Sequence, residues 1–159
     1  MASTVQPESR PPDQPILLFD GVCNLCHGSV LFVLRHERRP ELRFCALESA
    51  AGAQLLTRHG IGTDYRGSLV VIEAGRVFLK SDAALRVASY LKWPWSWGRA
   101  AVIFPRGLRD WAYDLIARNR YRWFGRHDAC LLPTAELRRR LIDSQPVSTR
   151  PPEPDIVPA

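Results

Sequence analysis

Lysine and methionine are almost missing from this chain. Of its 159 residues only Lys80 and Lys92 are lysine, and the one methionine is Met1. Arginine therefore carries nearly all of the positive charge, and no internal thioether is present to serve as a haem ligand. Cysteine is scarce too. Cys23, Cys26, Cys45 and Cys130 are too few and too unevenly spaced to form the disulfide framework of a small secreted domain. No apolar run approaches the ~18 residues needed to span a bilayer. Residues 1–15 are polar and proline-rich and lack the apolar stretch of a secretory signal. These absences predict a protein of the cytoplasm, where paired thiols are catalytic or metal-binding more often than structural.

What is present is an ordinary globular composition, 46% hydrophobic and 24% charged, long enough for one domain with a real core. The formal net charge is +6, with the basic excess densest from Arg99 to Arg140. Such an excess suits an anionic partner, nucleic acid or an acidic membrane face. No nucleic-acid recognition motif accompanies it, so no nucleic-acid partner is expected. The preference for arginine over lysine reads first as a compositional bias.

The stretch from Ile16 to Val33 organises the rest. Ile16–Phe19 is apolar throughout and reads as a strand buried on both faces. A polar turn, Asp20-Gly21-Val22, then delivers Cys23 and Cys26 to the first turn of a helix. Residues three apart share a helix face, so the two thiols can reach each other. The helix N-terminus favours the thiolate of the first. A strand feeding a CxxC helix is the signal of a thioredoxin-like redox site.

The remaining elements follow in order. Residues 1–15 form a disordered leader. A helix from Cys23 to His36 faces the sheet with Cys26, Val30, Val33 and Leu34. A strand at Leu42–Leu47 completes a parallel βαβ unit. A second helix runs from Glu48 to His59. A strand at Ser68–Glu73 turns at Ala74-Gly75 into a strand at Arg76–Lys80, the spacing of a hairpin. Ser81 caps a third helix that continues to Leu91. The predicted class is α/β, a thioredoxin-like domain of order βαβαββα over residues 16–92. A helical extension covers 93–143, and 144–159 are a proline-rich tail. Within the extension, Trp93–Gly98 is an aromatic turn, and Arg99–Phe104 form a short helix. Pro105 opens a helix whose stripe of Leu108, Trp111, Ala112, Leu115 and Ile116 reads as core. Asn119–Asp128 reads as an aromatic-arginine loop, and Thr134–Leu141 as a short amphipathic helix.

The motif Asp20-Gly21-Val22-Cys23-Asn24-Leu25-Cys26, with Gly28-Ser29 behind it, resembles the DCC family of thiol-disulfide oxidoreductases, named for an Asp-Cys-Cys signature. The likeness continues through Lys80–Leu85 and Arg118–Gly125 and covers roughly Ile16 to Leu141. It implies a thioredoxin-like fold and dithiol chemistry on a disulfide-containing protein or small-thiol substrate, with no cofactor. It leaves the physiological substrate open.

The chemistry expected of these residues is thiol–disulfide exchange. Cys23, taken as the more exposed thiol, attacks a substrate disulfide, and Cys26 resolves the mixed disulfide. Asp20 either takes the proton of Cys26 during resolution or caps the turn through hydrogen bonds. In a reducing cytosol the default direction is reduction of the substrate. Thioredoxin-like proteins usually carry a cis-proline before the third strand. Here that stretch is Arg66-Gly67-Ser68, which by analogy with the fold puts Ser68 near Cys23 as a substrate contact. Arg122 or Arg126 could stabilise a thiolate or an anionic substrate. Cys45 reads as a buried small apolar residue, and Cys130 by default as structural, with a role as a third redox thiol as the alternative. Three rivals stand beside this reading. Cys23–His27 also matches the CxxCH haem-attachment pattern, against which count the missing export signal and missing methionine. Zinc would need Cys23, Cys26 and His27 with Cys130 or His127. An interaction module would use the tryptophan turn and the arginine block as its surface.

Overall fold

The computed structural model describes residues 14–65, 69–126 and 135–142. The apolar run Ile16–Phe19 forms β1, buried at every position. It pairs in parallel with β2 (Arg43–Ala46) and antiparallel with β3 (Val70–Glu73). The expected hairpin follows: Ala74 and Gly75 have φ of 48° and 74°, and β4 (Arg76–Leu79) returns along β3. Positive φ at both turn residues matches the twist of a tight hairpin. The sheet order is β2-β1-β3-β4.

Side chains of a strand alternate between faces, and both faces of this sheet are covered. Leu17 and Phe19 point toward α1 (Asn24–His36) and α3 (Lys80–Ala88), where they meet Val30, Val33, Ala83 and Val87. Ile16 and Leu18 point toward α2 (Ala50–Arg58), where Leu55 and Leu56 close over them together with Cys45. Cys45 is thus the buried residue its position predicts. The element order and the sheet make the fold thioredoxin-like.

Two helix starts differ from expectation. Ser49, not Glu48, opens α2, its hydroxyl accepting the Gly52 N–H at 3.0 Å. Glu48 therefore stays outside the helix and accepts the Gly21 N–H at 3.2 Å, next to the cysteine turn. Ser81 does not cap α3. That helix starts two residues earlier, with Leu79 at the cap position, and the Ser81 hydroxyl is drawn away to the Asp110 carboxylate.

Beyond α3 come a 3₁₀ segment (Trp95–Ile103) in place of the short helix expected at Arg99–Phe104, then α4 (Arg106–Phe124) and α5 (Ala135–Arg140). Pro105 is the residue before α4 rather than its first. Most of the expected loop at Asn119–Asp128 is helix, because no proline or glycine interrupts it before Gly125, which ends it at φ 78°.

The larger correction concerns which way α4 faces. Leu108, Trp111, Ala112, Leu115 and Ile116, expected in the core, are all exposed, Trp111 at 63%. The inward face is polar. Asp114 accepts from Lys80 Nζ at 2.9 Å, and Arg109 Nη1 donates to Asp82 Oδ1 at 3.2 Å. The Tyr113 hydroxyl accepts the Leu69 backbone N–H at 3.0 Å. The reason lies in what α4 covers. A cavity is left between α1, α3 and α4, so apolar packing alone does not set the rotation of the helix. What remains to be met is Lys80, Ser81 and Asp82 of α3 and the buried Asp20, and buried polar groups must be paired.

This orientation has a direct measure in denaturant unfolding. Trp111→Gln and Leu115→Gln should each leave the unfolding free energy within about 0.5 kcal/mol of the parent. Tyr113→Phe, which removes the hydroxyl that accepts the Leu69 N–H, should cost about 1–2 kcal/mol. A loss above about 2 kcal/mol for either outward residue would return the stripe to the core.

Candidate active site

The site is built where β1 hands the chain to α1. Asp20 is 2% exposed, and its Oδ1 accepts the Val22 N–H at 3.0 Å, which holds the turn in the way asparagine and aspartate side chains do. Cys23 takes the cap position of α1 with an extended backbone, and its carbonyl accepts the His27 N–H at 3.0 Å. Cys26 lies one turn further on, and both are free thiols.

Their exposure is the reverse of expectation. Cys23 is 1% exposed, while Cys26 is half-buried. The cover over Cys23 comes from the far end of α4. Arg126 forms an antiparallel bridge with Cys23, and Asn24 Nδ2 donates to the Phe124 carbonyl at 2.8 Å. A side chain at Gly125 would crowd Asn24, with a Cβ only 3.3 Å from its Nδ2.

The inward face of α4 also delivers Arg120, 5% exposed. Its Nη2 donates to Asp20 Oδ2 at 2.9 Å, and its Nη1 lies 4.0 Å from Cys26 Sγ. The Tyr121 hydroxyl donates to the same Asp20 oxygen and accepts from Arg120 Nη2 at 3.0 Å. Arg120 and Arg126 both lie against the Tyr121 ring, at 4.7 and 4.6 Å. Sequence reasoning passed over Arg120 for Arg122, which is exposed on α4. The available signal was the spacing of Tyr113, Ala117 and Arg120, one helix face opposite the apolar stripe. Ser68, His127 and Cys130 lie outside the described residues. Among the described residues, no three His, Cys, Asp or Glu side chains cluster as metal ligands.

The electrostatics bear on the second thiol. Burial, then the charge of Cys23 and the hydrogen bond with it, push Cys26 up to about 12, with Arg120 pulling the other way. Burial also raises Glu48 above the ordinary carboxylate range. Backbone N–H groups oppose that rise, and the neighbouring Asp20 adds to it. A cavity of about 360 Å³ between α1, α3 and α4 reaches the Cys26 side of the pair. Its wall includes Phe32, Val87, Tyr113, Ile116 and Arg120.

A CxxC pair at the first turn of the helix that follows β1 places the chain among the thioredoxin-like dithiol proteins. Its membership is narrower than that. The model of the DCC1-like thiol-disulfide oxidoreductase family matches residues 17–126, and the chain belongs to that family. It is 42% identical over 130 residues to the uncharacterized protein YuxK of Bacillus subtilis (strain 168), an alignment covering 80% of this chain and 93% of that protein. It is 45% identical over 120 residues to the DCC family protein At1g52590, chloroplastic, of Arabidopsis thaliana, covering 75% of this chain and 70% of that protein. No solved structure matches. The matched stretch ends at Arg126, so it takes in Arg120 and the cover over Cys23 along with the dithiol.

Two measurements probe this arrangement. Arg120→Leu should cost about 3–5 kcal/mol in denaturant unfolding, because it leaves a buried carboxylate without its counter-charge. A cost under about 1 kcal/mol would mean that the pair carries little of the fold. The second concerns alkaline pH. The fold holds the Cys26 proton more tightly than the unfolded chain does, so this share of stability is complete below the ordinary thiol value. It is lost as pH climbs toward about 12. Between pH 9 and 10 this thiol should lower stability by up to about 1.4 kcal/mol per pH unit, and Tyr90, Tyr113 and Tyr121, also raised in the fold, add to the fall as pH nears 10. Cys26→Ser should lessen that slope, most clearly near pH 9; an unchanged slope would assign it to the tyrosines.

Proposed function

We propose that this chain is a thiol–disulfide oxidoreductase that uses Cys23 and Cys26 as its dithiol and acts as a disulfide reductase. The observation that carries the reading is the placement of two free thiols one turn apart at the start of the helix that follows β1, with Arg120 Nη1 4.0 Å from the second sulfur. Burial and the neighbouring Cys23 hold the Cys26 proton in place, so Cys26 is not the first sulfur to attack. Cys23 stands at the cap position of α1 and is the sulfur we assign to the attack. It attacks the substrate disulfide: a Cys23–substrate bond forms, the substrate S–S bond breaks, and one substrate thiol leaves. Cys26 then gives up its proton and attacks Cys23. The Cys23–Cys26 disulfide forms and the second substrate thiol is released, so the substrate gains two electrons and the protein loses two.

Arg120, within reach of Cys26 Sγ, stabilises the Cys26 thiolate during resolution. Asp20 holds Arg120 in place and, with the Glu48 carboxyl near it, offers a carboxylate on which the Cys26 proton settles. Because Cys23 is covered, a substrate must first displace the turn at 124–126. Ser68 and Arg122 are our candidates for contacts to that substrate. The reducing cytoplasm is the compartment in which this direction of electron flow is favoured.

Titration in glutathione buffers, read by thiol alkylation and mass, tests the reading. One reversible two-electron transition confined to Cys23 and Cys26 is expected, near the ~−270 mV of a reductant. Cys23→Ser should abolish it, and Cys26→Ser should accumulate a mixed disulfide at Cys23. If no disulfide forms between the two at any poise, the oxidoreductase reading fails.

A further inference from the structure

The outward face of α4 is chemically one-sided. Leu108, Trp111, Leu115, Ile116 and, two turns on, Trp123 run along it, all exposed. Ile103 and Phe104, just before the helix, are exposed as well, Ile103 at 82%. Exposed apolar surface on this scale marks a contact. The charges around it have one sign. Between Lys92 and Arg126 the acidic residues are Asp110 and Asp114, and both are turned toward α3, on Ser81 and Lys80. Arg99, Arg118 and Arg122 are exposed, as is Arg106, which pairs with Asp82 at 2.9 Å.

We propose that this face docks reversibly on the surface of an anionic lipid bilayer. Aliphatic side chains sit at the acyl boundary, indoles suit the headgroup level, and the arginines meet anionic headgroups. A second copy of the chain would have to bring one cationic rim against another. Nucleic acid would engage the arginines and leave the aliphatic residues in water. No helix among the described residues is long and apolar enough to cross a membrane, so α4 lies on the surface rather than spanning it. Ile116 belongs both to the exposed stripe and to the wall of the cavity that reaches Cys26. A docked α4 therefore sets that cavity beside the lipid. The inference stands apart from the redox reading.

The test is co-sedimentation of the full chain with vesicles of phosphatidylcholine alone and of a two-to-one mixture with phosphatidylglycerol, with tryptophan emission followed in parallel. Binding to the anionic vesicles is expected with a blue shift, falling with salt, and roughly tenfold weaker on phosphatidylcholine. Trp111→Gln/Leu115→Gln should weaken binding roughly tenfold, and Arg118→Gln about fivefold, each with an unchanged unfolding midpoint. Absence of binding to anionic vesicles at low salt would overturn the proposal, as would binding indifferent to the Trp111/Leu115 pair. A self-association that the same pair abolishes would assign the face to a second copy instead. Preferential binding to a DNA duplex would assign it to nucleic acid.

Discussion

The structure depends on one buried ion pair. Asp20 and Arg120 are both nearly inaccessible to water, and a lone carboxylate in that position would cost several kcal/mol. The pair does three things. One oxygen of Asp20 shapes the turn that presents the cysteines, and the other anchors Arg120. Anchoring Arg120 fixes the rotation of α4 about its own axis, which sends Tyr113 inward and Trp111 outward. Once α4 is seated, its end lies across Cys23. Turn, helix rotation and thiol cover are therefore consequences of a single contact.

Much of this was legible in the residues themselves. An unbroken apolar run marks a two-faced strand, Ala74-Gly75 marks a hairpin, and a cysteine pair after a strand marks a dithiol helix, because each signal is local. The rotation of α4 was not legible by the usual rule. Its apolar stripe is real and regular, but the rule that such a stripe faces inward assumes an apolar surface to receive it. Here the receiving surface carries Asp20, Ser81 and Asp82, and charge pairing overrode periodicity. The exposure of the cysteines was misread for a related reason. Cys23 does head its helix, but what buries it is contributed by Phe124–Arg126, which no local pattern ties to it.

Around the dithiol, opposing influences are balanced rather than reinforced. Arg120 draws the Cys26 proton away, yet burial and the partner thiol outweigh it. Glu48, held outside α2 because Ser49 takes the cap, adds a second carboxyl beside Asp20. One cation thus serves a carboxylate and a thiol at once, and any change in the charge of either is felt by the other. Coupling of this kind lets a proton move within the cluster with little movement of heavy atoms.

The same contact bears on how the molecule is made. Asp20 and Arg120 are 100 residues apart in the chain. A ribosome adding roughly 5–20 residues per second emits the strand and both thiols about 5–20 s before the arginine that completes their surroundings. Over that interval Cys23 has no cover and Asp20 no counter-charge. The nascent dithiol is open to whatever thiols and oxidants the compartment holds, and the protected site is a late product of long-range loop closure rather than a property of the motif that names it.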